Sequence, residues 1–266
     1  VRSPAIPLVF VYVIYQSWFW GVRSVHWRLL AALLVTLAPL LYVQGRVTRW
    51  KVGVLSDAAG PTSGRTEGEG DAARLLVIGE STVAGLGARS HEYALAGQFA
   101  RRLAEHLGRP VAWHVVGRNG VTARRTIDEL LPLVPDRSFD HILLGIGGND
   151  VMKLSSPRVW RRDMTELLGI LRSSHPHAAV FISNCPMIGM SPVIPHPAKA
   201  LLWRLSQMHN DNIIEFTRPM PRVFYYPQPA GVTPEGFFAD GIHPSEQGYA
   251  DWAAAMMSYF AENHEW

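Results

Sequence analysis

From Arg74 onward, short apolar runs alternate with longer segments whose apolar residues recur every three or four positions. RLLVIG (74–79), VAWHVVG (111–117), HILLGIG (141–147), AAVFIS (178–183) and VFYY (223–226) read as buried strands. Between and after them, HEYALAGQFARRLAEHLG (91–108), a short stretch near 122–132, 157–174, 198–216 and SEQGYADWAAAMMSYFAE (245–262) carry helical periodicity, and Gly108 ends the first. Strands that are apolar on both sides, each followed by a helix, predict an α/β domain with a five-stranded parallel sheet covered on both faces. No internal repeat is visible.

The first 55 residues have a different pattern. Ser3 to Val22 (SPAIPLVFVYVIYQSWFWGV) is a run of 20 residues without a charge, and Leu29 to Gly45 (LLAALLVTLAPLLYVQG) is a second of 17. A helix needs roughly 20 such residues to cross a hydrocarbon core. Trp18, Phe19, Trp20 and Trp27, with Arg23 and Arg28, have the character of residues at a membrane interface. Residues 1–55 are therefore expected to form an apolar helical segment, attached to a membrane through residues 3–45. If both runs form a hairpin, Arg2, Arg46, Arg49 and Lys51 on its flanks leave the body in the cytoplasm; if one run inserts, the side is open. A signal sequence and a helix packed on the body compete with this reading. No small-x-small cleavage site follows either run, and Pro39 interrupts the second. Residues 56–73 (SDAAGPTSGRTEGEGDAA) lack an apolar period and read as a linker, which puts the main domain at 74–266.

Charge and cysteine usage narrow the function classes. Residues 1–73 hold seven Lys+Arg against four Asp+Glu, whereas the rest of the chain holds 18 of each. A neutral body lacks the basic patch that nucleic acid requires, so nucleic acid is set aside as a partner. The single cysteine, Cys185, forbids an internal disulfide framework and any multi-thiolate metal site. His175-Pro-His177 has no partner cluster, and Gly145-Ile-Gly147-Gly148 lacks the correctly spaced third glycine of a dinucleotide loop.

Ligands of a parallel sheet bind beyond the carboxyl ends of its strands, so the residues just after each strand carry the chemistry. Ser81 follows the first strand within GESTVAG. A serine hydroxyl is a weak nucleophile; it needs a base, and the base needs a group that fixes its tautomer. Asp240-Gly-Ile-His243 can supply both, the Asp holding the imidazole Nδ1–H while Nε2 stays free. Gly120 offers an unobstructed backbone N–H, Asn149 in GGND offers an amide, and with the Ser81 N–H they would form a three-donor oxyanion hole. An α/β-hydrolase elbow, G-x-S-x-G, is not met, because position 83 is Val and the acid and base lie three residues apart.

At Ser81, Gly120, Asn149 and His243 the chain resembles the SGNH, or GDSL, hydrolases, over about residues 74 to 262. The first block reads Gly-Glu-Ser where that family usually has Gly-Asp-Ser, so Glu80 is one methylene longer. The resemblance implies a three-layer α/β/α, flavodoxin-like fold and hydrolysis of esters or thioesters through an acyl-enzyme. It implies no metal or organic cofactor. The apolar loops PMIGMSPVIPHP (186–197) and GVTPEGFF (231–238) are expected near the rim, where Met187, Ile188, Met190, Val193, Ile194, Phe237 and Phe238 would line an acyl pocket. The leading expectation is a carboxylesterase for short to medium acyl esters. A membrane-anchored acetylesterase or acyltransferase for envelope glycans or lipids, and a tethered interaction protein with a decayed site, are the alternatives.

Overall fold

The computed structural model describes residues 25–53, 55–229 and 235–265. The five expected strands form, as β2 (Ala73–Gly79), β3 (Val111–Gly117), β4 (His141–Gly145), β5 (Ala179–Ile182) and β6 (Val223–Tyr225). All pair in parallel. A sixth strand, β1 (Ser63–Arg65), adds antiparallel to β3 and makes the order β1-β3-β2-β4-β5-β6. It comes from the stretch that reads as a linker. Its sequence, SGR, has no apolar alternation because an edge strand this short faces solvent, and Gly64 lets it lie against the Trp113 indole, where an added Cβ would come within 2.3 Å of the ring.

Alternate residues of β2 feed two apolar cores. Leu75 and Val77 face α3 (Leu95–Leu107) and α8 (Glu246–Asn263), packing with Phe99, Leu103, Met256 and Phe260. Leu76 and Ile78 face α6 (Pro157–Ser174) and α7 (Ala198–Thr217), packing with Trp160, Met164, Leu167 and Phe216. This is the three-layer α/β/α arrangement. The stretch after β3 is less regular than its periodicity predicts: α4 (Ala123–Arg125) runs into a π turn over Thr126–Leu130 and a 3-10 turn over Leu131–Leu133. Pro132 has no N–H to continue an α-helical ladder there.

The second apolar run is not one helix. Val25–Thr36 (α1) and Ala38–Val52 (α2) meet at Leu37 with a bend of 74°. Pro39 lies in the first turn of α2, a position that proline tolerates, and the chain breaks just before it. Among the described residues, no single helix is long and apolar enough to cross a membrane. The first run, 3–22, lies outside the described residues. Leu30 and Leu34 of α1 are buried with Ile188, Ile194 and Leu205 in a third apolar cluster.

Candidate active site

Three glycines stand in register at the carboxyl ends of adjacent strands: Gly117 on β3, Gly79 on β2 and Gly145 on β4. They leave room for the turn that carries Ser81. A Cβ on Gly117 would lie 2.6 Å from the Ala84 nitrogen, and one on Gly145 would lie 2.7 Å from a Val83 methyl. The turn is pinned by the Glu80 N–H donating to Gly145 O at 2.9 Å and by the Val83 and Ala84 N–H groups donating to Glu80 O. Ser81 thus sits at the end of the central strand, 8% exposed. Among the described residues its N–H has no acceptor.

The His243 loop lies against this turn. A Cβ on Gly87 would come within 2.2 Å of Pro244 O, and the Tyr249 hydroxyl donates to Leu86 O at 2.7 Å. His243 Nδ1 is 2.8 Å from Asp240 Oδ2. Asp240 Oδ1 accepts the N–H groups of Ile242, at 2.8 Å, and His243, at 2.7 Å. Burial acts to raise the Asp240 pKa, but the His243 ring and these two N–H groups outweigh it and hold the carboxylate below its ordinary value. An ionised Asp240 accepts from Nδ1–H, which leaves Nε2 as the free base position. The third side of the loop is tied by Ser191 Oγ, which donates to Gly241 O at 2.7 Å.

The other candidate donors are braced from below. Gly120 has a φ of +83°, and a Cβ there would meet open space. Its carbonyl accepts from Lys153 Nζ at 2.6 Å and from the Arg125 guanidinium at 3.2 Å. Asn149 lies in α5 (Gly148–Met152), a short helix that sequence periodicity does not reveal. Glu80 holds it: Oε1 accepts from the Gly148 N–H at 2.6 Å, while Oε2 accepts from the Asn149 N–H at 2.7 Å and its Nδ2 at 2.5 Å. Burial pushes the Glu80 carboxyl up to about 7, with the hydrogen bonds from Asn149 and Gly148 opposing. Asp150, next along α5, is buried and pushed up to about 6 by the same cause; its Oδ2 accepts from the Ala123 N–H at 2.9 Å. Nothing in the sequence pattern marks either carboxylate as a brace. The one sequence feature that touches this role is the Gly-Glu-Ser block, in which Glu80 stands where Asp is usual.

A cavity of about 360 Å³ opens beside this cluster, lined by Glu80 and Thr82 from the serine turn and by Ile242 and Pro244 from the histidine loop. Of the residues expected to form an acyl pocket, Met187, Met190 and Phe237 line it. Ile188, Val193 and Ile194 belong to the third apolar cluster beneath α1. Phe238 stacks edge-on against Phe237 and forms a backbone bridge to Pro244. Part of the second rim loop, residues 231–234, lies outside the described residues. Trp252 and Ala255 of α8 and Tyr226 after β6 also line the cavity, together with polar residues that include Ser183, Asn184 and Glu235. Trp252, Ala255 and Tyr226 were not legible as site residues, because each is one apolar position within an apolar element. The Trp252 indole N–H donates to Asn184 Oδ1 at 2.7 Å, which fixes the ring.

The chain is a member of the GDSL-like lipase/acylhydrolase family, whose profile matches residues 77–250. Among individual proteins, it is 27% identical over 185 residues to a GDSL-like esterase of Mycobacterium tuberculosis, covering 66% of this chain and 58% of that protein. Its fold is similar to that of the lipase Lip_vut3 from a goat rumen metagenome, with a TM-score of 0.56 at 17% identity over 70% of this chain and 96% of the other. TesA gives the same TM-score, 0.56, at 19% identity over 71% and 98%.

Proposed function

We propose that the chain is a serine carboxylesterase that cleaves short to medium acyl esters through an acyl-enzyme. The observation that carries this reading is the His243–Asp240 hydrogen bond of 2.8 Å, on a loop packed against the Ser81 turn. In the proposed cycle His243 Nε2 takes the Ser81 proton as Oγ attacks the ester carbonyl. The Ser81 N–H, Gly120 N–H and Asn149 Nδ2 receive the oxyanion, and His243 then protonates the departing alcohol. Water repeats the sequence on the acyl-enzyme and releases the acid. Asp240 keeps the imidazole in the tautomer that both halves need. The cavity bounded by Met187, Met190 and Phe237 would hold the acyl chain; its volume is at the small end of ligand pockets, which favours short to medium chains. We also infer that residues N-terminal to the domain associate with a membrane, since α1 and α2 are apolar yet largely exposed.

Replacing Ser81 by Ala tests the assignment. Turnover of a p-nitrophenyl butyrate should vanish while the circular dichroism spectrum and thermal midpoint stay close to those of the unaltered protein. Retained turnover would refute the role of Ser81.

A further inference from the structure

The α1–α2 elbow exposes an apolar surface that no other element covers among the described residues. Leu29 and Leu33 on α1 and Leu40, Val43, Val47 and Trp50 on α2 are between 43% and 82% exposed. The four on α2 recur at spacings of three, four and three, which places them in one stripe. Helix α2 buries none of its residues. Contiguous apolar surface of this kind on a folded protein marks an interaction site.

Charge identifies the occupant. Arg28, Arg46, Arg49 and Lys51 lie on the same two helices, and the chain has no Asp or Glu before Asp57. A second copy of this face would set cations against cations. The charge-free run at 3–22 contains nothing to neutralise them either. An apolar stripe flanked by basic residues matches a leaflet with anionic headgroups, which takes up both. Length and shape decide the orientation. At 1.5 Å per residue each limb is about 18 to 22 Å long, short of the roughly 30 Å hydrocarbon core, and the two meet at a bend of 74° instead of stacking into one straight span.

The elbow also reaches the catalytic rim. The inward side of α1 buries Leu30 and Leu34 against Ile188 and Ile194, and Gln44 of α2 donates from Nε2 to His196 O at 2.7 Å. Those partners lie in the 186–197 loop, the one that supplies Met187 and Met190 to the cavity wall. We propose that the α1–α2 elbow is a docking surface for an anionic lipid leaflet, lying in its plane, and that it holds the cavity wall at that surface, where acyl esters are presented. The docking stands on the elbow alone; its link to substrate rests on the ester-hydrolase reading.

The only native cysteine is buried, so an environment-sensitive fluorophore can be attached at Val47→Cys, with Glu105→Cys on α3 as a control. With the full chain, vesicles of phosphatidylcholine plus phosphatidylglycerol should shift the Val47→Cys emission to the blue and leave the control unmoved, and phosphatidylcholine alone should have little effect. The double variant Val43→Glu/Trp50→Glu should lower partitioning to anionic vesicles by about tenfold or more, with hydrolysis of a soluble p-nitrophenyl ester unchanged. No shift, an equal shift at both positions, a shift that follows protein concentration without lipid, or undiminished partitioning of the double variant would each overturn the docking. Loss of wild-type turnover with the lipid response intact would instead remove the hydrolase reading and leave the docking in place.

Discussion

Glu80 Oε2 accepts both the backbone N–H of Asn149, at 2.7 Å, and its side-chain Nδ2, at 2.5 Å. The acid beside Ser81 therefore holds the amide proposed to meet the oxyanion, and it uses only one of the two Nδ2 hydrogens. The second remains to be aimed at substrate. If that is its role, Asn149→Ala should lower kcat by about 10² to 10³ with little change in KM, because the donor acts on charge that develops in the transition state. Steady-state kinetics on a p-nitrophenyl ester measure this; a change confined to KM would contradict it.

Glu80 should also leave a signature in stability. Burial raises its pKa from the ordinary 4.5 to about 7. The folded protein then binds a proton more tightly than the unfolded chain, so this group's contribution is fully present below about 4.5 and is lost as pH rises through 7. The difference in unfolding free energy between wild type and Glu80→Gln should fall across that window by about 3 kcal/mol in all. Urea titrations at several pH values measure it, and a pH-independent difference would count against the buried carboxylate. The ionised form is the one that accepts three N–H donors, so Glu80→Gln should also lose kcat at pH 8, by about tenfold or more. The arrangement exchanges stability for a braced donor.

Gly79→Ala should be among the most damaging changes in the domain. Its φ is +152°, and a Cβ would sit 1.9 Å from Gly145 O, a backbone atom of the neighbouring strand. The strand ends would have to separate under the serine turn, at a cost of more than about 3 kcal/mol. Thermal denaturation reads this directly. A midpoint within a few degrees of wild type would show that the sheet end can relax.

Met187→Trp should shorten the acyl chains accepted. The added bulk projects from a residue that lines the cavity beside Glu80 and Thr82. The octanoyl to acetyl ratio of kcat/KM should fall by about tenfold, the scale expected for losing a few methylene contacts. An unchanged ratio would place the acyl chain elsewhere.

The sheet was legible because its strands are buried on both faces: VAWHVVG gives β3 over Val111–Gly117, residue for residue. The α6 helix, with Pro157 in its first turn and Ser156 capping Val159, was equally plain. Elements that do not bury an apolar face were not. β1 is carried by a glycine that fits under Trp113, and α5 is a five-residue turn held by Glu80. The residues proposed for the site stand out by position: Ser81, Gly120 and Asn149 come soon after β2, β3 and β4, and Asp240 and His243 come just before α8. The braces beneath them, Glu80 and Asp150, do not, since a buried carboxylate is recognised by its donors, and those come from residues 68 and 27 positions away. Ile188, Val193 and Ile194 show the remaining ambiguity: an apolar loop can face a cavity or neighbouring elements, and Ile188 and Ile194 join the cluster that holds Leu30 and Leu34 of α1, while the Val193 methyls lie against Gly241 of the histidine loop.

A fluorophosphonate probe tests, without assuming a substrate, the proposal that Ser81 is a nucleophile activated by His243. Mass mapping of the labelled, folded protein should find one adduct, on Ser81, absent from Ser81→Ala and slowed strongly in His243→Ala. An unlabelled folded protein, or an adduct at another residue, would contradict the account.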